Sequence, residues 1–480
     1  MEKKIEAERV VMSPGQKARR INLDENLYGT FAEIGAGQET VRHFFRVGGA
    51  SRTIAKAMSA YDKDFSDAIY GKEEGTRYVC ESRMRNMLTK EYGLIAERLN
   101  REQHPDKKFF TFASTIATST FEKPHGGHGW LGVRFQTAPK RSTSELIVHI
   151  RLHTPDIALQ QEAIGIIGVN LLYGALIRHE NPEEIMTGLY DNISPHVIEV
   201  DMIQMNGPDF EGVDNRLYSL QLVKRGYTDA VIFGPDGQNL QASNVLYKKN
   251  ILALRGSFRP VTKVNIDMIK NGYDVFVKEN RVEKKNLQVL FEITLNNLKE
   301  ETGDIDEKDF LDRADILCQL GQTVLISNFK RYYKLVDYFS RYTKERMGII
   351  MGLSNLEEVF KEKYYRHLNG GMLEAFGILF TRDLKMYIYP SKPTAEDKLK
   401  QTKDMVVHPR LQPLLDYLVF NKKIVDLEDF DPTVLHIFSK EVLRMIRAGE
   451  DGWEEMVPAY VDNMIKRDHL FGYKEHEPVE

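Results

Sequence analysis

The sequence predicts an α/β protein whose C-terminal half is a doubly wound parallel sheet, preceded by a helical region and by an α+β domain with antiparallel strands. Three observations lead there. Beyond the turn Gly234-Pro235-Asp236-Gly237, short β-branched runs alternate with helical patterns, the signature of consecutive βαβ units. Between Phe109 and His153, three runs rich in aromatic and β-branched residues follow one another with no helical pattern between them. Before residue 105, apolar residues recur at three- and four-residue spacing. A chain of 480 residues exceeds what one hydrophobic core serves, so several domains are expected. The expected division is 1–105 (helical), 106–235 (α+β), 236–395 (doubly wound) and 396–480 (a helical tail).

In the first region, 39–45, 51–61 and 82–100 carry the helical spacing and are separated by glycine turns. Strands are expected at 109–117, 130–137 and 145–153. Pro155 then opens a helix to about residue 179, with Asp156 in the first turn where a carboxylate complements the helix dipole. Its segment 163–177 is apolar on most faces, is interrupted by Asn170, and falls short of the roughly 20 residues that cross a bilayer. Such a helix needs cover on several sides, beneath the strands or between subunits, so a homo-oligomer is an expected assembly. Strands at 197–205 and 217–223 close this part. Beyond Gly237 come a strand at 251–255, a helix from Thr262, helices at 287–300 and 308–320, and a strand at 323–327. A helix from Arg331, a strand at 347–351, a helix from Asn355 and a strand at 385–389 follow. The stretch 390–402, rich in Pro, Lys and Asp, leads to helices at 411–420, 432–448 and 453–466.

The sharpest motif is the run from Arg255 to Asn265, placed directly after an apolar strand and directly before a helix. In an open α/β sheet ligands sit at the carboxyl ends of strands, and a helix N-terminus offers N–H groups and partial positive charge to a phosphate. Gly256 lets the backbone approach, Ser257 and Phe258 shape the turn, and Arg255, Arg259 and Lys263 supply cations, with arginine able to grip a phosphate in two places. Thr262 and Asn265 are placed to orient a bound group. Ser327 and Asn328 follow one expected strand and Ser354 and Asn355 another, so both pairs are expected to face the same crevice. Ser and Asn are also common helix caps, which is the competing role for these positions.

This turn resembles the G-x-F-D-P-x-[HT]-x-G-H signature of nucleotidylyltransferases, a family with a Rossmann-like fold that joins a phosphorylated substrate to a nucleotide and releases pyrophosphate. Gly256, Phe258, Pro260 and Thr262 match. Arg259 stands where the family has Asp, Val264 where it has Gly, and Asn265 where it has the second His. Asn can donate a hydrogen bond but cannot become a cation, so the family's usual catalysis is not expected. The run Ile326-Ser327-Asn328-Phe329-Lys330-Arg331 is only loosely similar to the family's second signature, I-S-S-T-x-x-R.

Two further glycine-rich stretches offer chemistry. The segment 121–130 contains His125 and His128, and His149 and His153 lie on the following expected strand, so four imidazoles could converge on a metal or on a catalytic site. No carboxylate stands out beside them, and a loop whose histidines cap backbone groups is the alternative. The stretch 31–39 is similar to the E-x-G-x-G-x-G turn of methyltransferases, but Glu39 takes the last glycine position and the preceding segment is polar for a central strand. Gly35 and Gly37 are therefore expected to form a tight connection before a helix carrying His43, Phe44 and Phe45.

Composition excludes several classes. A net charge of −4 with cations spread along the chain gives no basic stripe for nucleic acid. The cysteines, Cys80 and Cys318, have no second Cys nearby, which fits a reducing compartment. Residues 1–20 are charged and lack an apolar core, so a cytoplasmic location without membrane insertion is expected.

Segments 28–38, 53–62 and 255–264, with Asp312-Arg313-Ala314-Asp315 and 370–377, make the chain similar to a bacterial family of about this length. Its members often carry the name nicotinate-nucleotide adenylyltransferase and sometimes TonB-dependent receptor. The second name conflicts with a sequence lacking the serial alternating strands of an outer-membrane barrel. The resemblance implies a nucleotide- or phosphate-binding relative of nucleotidylyltransferases, a degenerate adenylyltransferase, with ATP or another nucleotide and its Mg²⁺ as ligand. The alternative is a non-catalytic, self-assembling protein that keeps the α/β fold.

Overall fold

The computed structural model describes residues 9–36, 38–73, 78–99, 101–119, 126–299, 303–380, 383–392, 394 and 396–474. The chain divides into two compact units, Met1–Thr228 and Asp229–Glu480.

In the first unit, chain order is α1 (Pro14–Asn22), β1 (Leu27–Gly35), α2 (Glu39–Arg46), β2 (Ile54–Met58), α3 (Lys63–Tyr70) and α4 (Glu81–Arg98). It continues with β3 (Lys108–Ala117), β4 (His128–Phe135), β5 (Ser144–Leu152), α5 (Ile157–Ile177), α6 (Pro182–Leu189), β6 (Ile198–Asn206) and α7 (Asn215–Lys224). The strands form one sheet in the order β2-β1-β3-β4-β5-β6. β1 runs parallel to both β2 and β3, and β3 through β6 are antiparallel.

Side-chain alternation divides the sheet between two cores. On one face Phe31, Phe110, Phe112, Val133 and Val148 pack with α1, α2, α5 and α6. On the other, Ala32, Ile34, Trp130, Ile147 and Met202 pack with Met84, Met87 and Leu88 of α4. Asp156 caps α5 by accepting from the Ala158 and Leu159 N–H groups. The apolar residues 163–177 are covered by the sheet together with α1, α2 and α6, so cover for α5 comes from within its own unit. Asn170, its one strongly polar interruption, accepts from Lys17 Nζ (2.6 Å) and donates to the Leu189 and Asp191 carbonyls.

Three expectations are corrected here. Residues 1–105 hold two strands as well as helices. β1 is buried along most of its length, as a strand flanked on both sides must be. Segment 51–61 contains the edge strand β2, not a helix. Segment 217–223 belongs to helix α7; its Leu-Tyr-Ser-Leu-Gln-Leu-Val order imitates alternation, but Asp214 caps it by accepting from the Arg216 N–H.

The second unit begins with β7 (Ala230–Phe233), β8 (Asn239–Leu240), α8 (Ala242–Leu246), β9 (Asn250–Arg255), α9 (Lys263–Phe276) and β10 (Leu287–Thr294). Then come α10 (Leu295–Leu298), α11 (Glu307–Gln319), β11 (Val324–Ser327), α12 (Tyr332–Ser340), β12 (Met347–Gly352) and α13 (Leu353–Val359). The unit ends with α14 (Gly371–Leu379), β13 (Leu384–Tyr389), α15 (Gln412–Phe420), β14 (Ile424–Asp426), α16 (Ser439–Ala448) and α17 (Ala459–Asp468). The sheet order is β14-β13-β12-β9-β10-β11-β7-β8. Strands β9 to β14 are parallel, while β7 and β8 run antiparallel at one edge.

This is the doubly wound sheet the sequence predicts, with two added pieces. Segment 287–300 opens with strand β10 rather than a helix, because Leu287 to Thr294 lies between β9 and β11 with its last five residues buried. The tail contributes a sixth parallel strand, β14, which the sequence reading had as part of a helical region. Chain order therefore reverses between β9 and β12.

Candidate functional site

β9 ends at Arg255, and the connection 256–262 delivers the chain to α9, next to the reversal point. Arg255 Nε and Nη2 donate to Glu292 Oε2 and Oε1, both at 2.8 Å, and the Ser327 hydroxyl donates to Glu292 Oε1 at 2.6 Å. The guanidinium lies 4.3 Å from the centre of the Tyr332 ring. Burial pushes Arg255 down, but the Glu292 carboxylate outweighs it and holds the guanidinium above its ordinary value. Two residues expected to meet a ligand, Arg255 and Ser327, thus meet each other through a buried carboxylate.

The rest of the turn is also self-satisfied. Arg259 pairs with Asp309, which also pairs with Arg313. Arg313 Nη1 donates to the carbonyls of Ser257 (3.2 Å) and Asn297 (2.7 Å). Phe258 is buried at φ 47° against Phe291, and the Arg259–Pro260 peptide is cis. Asn265 Oδ1 accepts from both the N–H and the hydroxyl of Thr262, each at 3.0 Å, which fixes the start of α9. Arg255 and Arg259, two of the three cations expected to face a phosphate, each face a carboxylate that β10 or α11 supplies. Thr262 and Asn265 are helix-capping residues.

Lys263 is exposed in the first turn of α9. Asn328 is exposed after β11, where its N–H donates to the Asp229 carbonyl at 2.9 Å. Ser354 and Asn355 are exposed in the first turn of α13 after β12, the strand paired with β9 through Ile350 and Leu254. Gly256 and Gly352 therefore leave neighbouring strands on either side of the reversal. Sequence reasoning missed Asp267, whose Oδ2 accepts from the Tyr389 hydroxyl (2.5 Å) and the Asp431 N–H (3.0 Å). Burial and that carboxylate both push the Tyr389 phenol up.

In the first unit the histidines part company. His125 lies outside the described residues. His128 Nδ1 is 3.3 Å from His149 Nε2, and His149 Nδ1 is 2.5 Å from Asp201 Oδ1. His153 instead meets Glu199 Oε2 at 3.2 Å, and Glu199 Oε1 accepts from the Thr228 hydroxyl at 2.6 Å. A register shift explains the divergence: His149 pairs with Met202 and Ile150 with Val200, so Asp201 is an extra residue on β6. Such a bulge redirects a side chain. His128 and His149 thus meet each other while His153 turns to Glu199, and among the described residues no group of three His, Cys, Asp or Glu could hold a metal ion. The carboxylates that sequence reasoning did not find are Asp201 and Glu199.

The turn after β1 is filled as well. Gly35 has φ +88°, and a Cβ there would lie 1.9 Å from the Ile116 carbonyl oxygen, so only glycine fits. Glu33, buried on β1, accepts from the N–H groups of Thr40 (3.2 Å) and Val41 (3.1 Å) at the start of α2. Burial raises its carboxyl to about 7 despite those bonds. The place where a methyltransferase-like turn would face a ligand holds the chain's own side chain. Gly37 lies outside the described residues.

No protein-family model matches the chain, and no curated protein matches it. Among solved structures, the chain is similar to the competence/damage inducible protein CihA from Agrobacterium tumefaciens, with 18% identity and a TM-score of 0.24, over 38% of this chain and 98% of that one. A competence-damaged protein (CinA) superfamily protein from Enterobacter cloacae is 13% identical at a TM-score of 0.24, over 36% and 97%. A competence or damage-inducible protein from Enterobacter asburiae is 15% identical at a TM-score of 0.24, over 34% and 98%. Similarity of that size carries no inference about fold or function. No helix among the described residues is long and apolar enough to cross a membrane.

Proposed function

We propose that the second unit binds a nucleotide or another phosphorylated small molecule at the reversal between β9 and β12. One observation carries the reading. The strand order reverses there, so the helices that follow the two neighbouring strands depart in opposite directions and leave a crevice at their carboxyl ends, where ligands of open α/β sheets bind. Gly256 and Gly352 sit at those ends, and Lys263, Ser354 and Asn355 are exposed in the first turns beyond them. With Arg255 and Arg259 held by Glu292 and Asp309, Lys263 is the cation left to face a phosphate. A divalent ion would arrive with the nucleotide, since Mg²⁺ binds chiefly through phosphates and water.

The reading is of binding rather than nucleotidyl transfer. Asn265 uses its side-chain oxygen to hold Thr262 and cannot supply a cation to a triphosphate. Thermal unfolding with MgATP, MgADP, a dinucleotide and inorganic phosphate tests the proposal. A ligand at 100 times its Kd stabilises by about 2.7 kcal/mol, a readily measured rise in Tm. Lys263→Ala is expected to reduce that rise for whichever ligand binds. No stabilisation by any of the four at millimolar concentration would overturn the reading.

A further inference from the structure

We infer that the first unit has a small-molecule site of its own, a cavity between α4 and the edge strand β2 that takes a small carboxylate with an apolar body. The ligand needs no phosphate, so this site stands or falls independently of the crevice proposed for the second unit.

The geometry of the sheet makes the cavity. On its face α4 packs chiefly on β3, β4 and β1, which leaves the edge strand β2 with little cover. At the end of β2, α3 closes the gap: the Tyr70 hydroxyl donates to Glu91 Oε1 at 2.8 Å and lies 3.4 Å from Met58 Sδ. Toward the start of β2 a cavity of about 410 Å³ remains, within the roughly 300–1,000 Å³ typical of ligand sites. A register shift shapes it. Gly29 pairs with Ile54 and Thr30 with Lys56, so Ala55 is an extra residue on β2. This bulge sets Lys56 beside Thr30 on the face turned to α4, where both line the cavity.

The lining fixes the class of ligand. The wall from α4 is apolar, made by Leu94, Ile95 and Leu99. The charged groups on the lining are both cations, Lys56 and Arg98. Lys56 forms an ion pair with Glu91, a buried carboxylate that is not part of the lining. Arg98, exposed in the last turn of α4, pairs with no carboxylate among the described residues. The Tyr28 hydroxyl also faces the cavity and bonds to no described residue, while its ring meets Phe109 (6.4 Å between centres) and Lys107 Nζ (5.7 Å). Two cations thus face one carboxylate, and one carboxylate on the ligand balances the excess charge. The carbonyl end of α4 opposes an anion, but a helix end amounts to about half a charge against the full charge of a guanidinium. A phosphate dianion would exceed the balance and leave the apolar wall uncovered. An uncharged ligand would gain the wall alone.

Saturation-transfer NMR and calorimetry with octanoate test the assignment, with octylamine and 1-octanol as chains of the same length and different charge. Octanoate is expected to bind at millimolar concentration, at least about fivefold more tightly than either analogue. Arg98→Gln, at an exposed position, should weaken octanoate by about fivefold, the size of one partly exposed charged contact, and leave octanol unchanged. Lys224→Gln makes the same charge change at an exposed position elsewhere in the unit and should leave octanoate binding within about twofold. Ala55→Trp puts a large ring at the exposed rim of the cavity and should abolish binding. No binding of octanoate, affinity no greater than that for octylamine or octanol, or full binding in Ala55→Trp overturns the proposal. Should Ala55→Trp lose its cooperative unfolding, photolysis of a diazirine-bearing octanoate on the unsubstituted protein decides the matter. Label on residues 55–56 or 94–99 supports the site, and label confined to other segments refutes it.

Discussion

Replacing Glu292 with Gln tests whether Arg255 belongs to the core or to a ligand. The substitution keeps the shape of the side chain and removes its charge, leaving a guanidinium whose side chain is 11% exposed opposite a neutral amide. Breaking one partner of a buried pair costs about 3–5 kcal/mol, since the surviving charge is desolvated without compensation. For a unit of this size, each kcal/mol lowers Tm by roughly 2–4 °C. Each unit carries one of the two tryptophans, Trp130 in the first and Trp453 in the second, so fluorescence in a Trp130→Phe background reports urea unfolding of the second unit alone. The double variant Arg255→Leu with Glu292→Leu should cost less than Glu292→Gln, because it removes the stranded charge. A loss below about 1 kcal/mol in Glu292→Gln would refute the reasoning: it would mean that Glu292 does not hold Arg255. Phosphate affinity measured on the same variant adds a second check, for it should rise only where a released Arg255 can reach the ligand.

Three other outcomes are expected. The buried Glu33 carboxyl is raised to about 7 from its ordinary 4.5, so between these values the folded first unit holds a proton that the unfolded chain has released. Its stability should therefore fall as pH rises through that window, by roughly 3 kcal/mol, and level off above it; Glu33→Gln should flatten the profile, as read by Trp130 fluorescence in urea. Gly35→Ala should destabilise the first unit by more than about 2 kcal/mol, because the backbone is left-handed and the added carbon meets the Ile116 carbonyl; a Tm within a degree of the unsubstituted protein would contradict this. Asn265→Ala should cost the second unit about 1 kcal/mol through the lost cap and leave MgATP binding within twofold; a larger loss of binding would return Asn265 to the ligand site.

The sheet of the second unit was legible because its strands are short β-branched runs separated by helical spacing. Segment 251–255, followed by Gly256 and a helix, could be located to within one residue. What escaped was β10. Its Leu287 to Thr294 run merges with the helical Leu295 to Leu298 turn, and only pairing with β9 and β11 separates them. In the first unit the polar letters before Gly35 argued against a strand. Glu33 is tolerated on β1 because the N–H groups of Thr40 and Val41 in α2, seven and eight residues on, donate to its carboxyl oxygens. The long apolar helix was legible as buried, but its covering by α1, α2 and α6 was not, and with that cover present α5 no longer argues for an oligomer.

The candidate sites show the same limit more sharply. A strand, a glycine turn and a helix start are enough to write a phosphate-like motif, and the sequence contains that pattern after both β1 and β9. Whether such a turn receives a ligand depends on what already occupies the helix end and the nearby cations, and those partners are remote or ambiguous in sequence. Glu292 lies 37 positions from Arg255 and Asp309 lies 50 from Arg259. Asp201 lies 52 positions from His149 and reaches it only because β6 carries an extra residue. The letters that looked like a phosphate grip are in large part ion pairs and caps that hold the turn. The letters that looked like a metal cluster resolve into a carboxylate and two imidazoles in a row. Chemistry in this chain should therefore be sought where exposed groups border a strand reversal, as at Lys263 and Ser354.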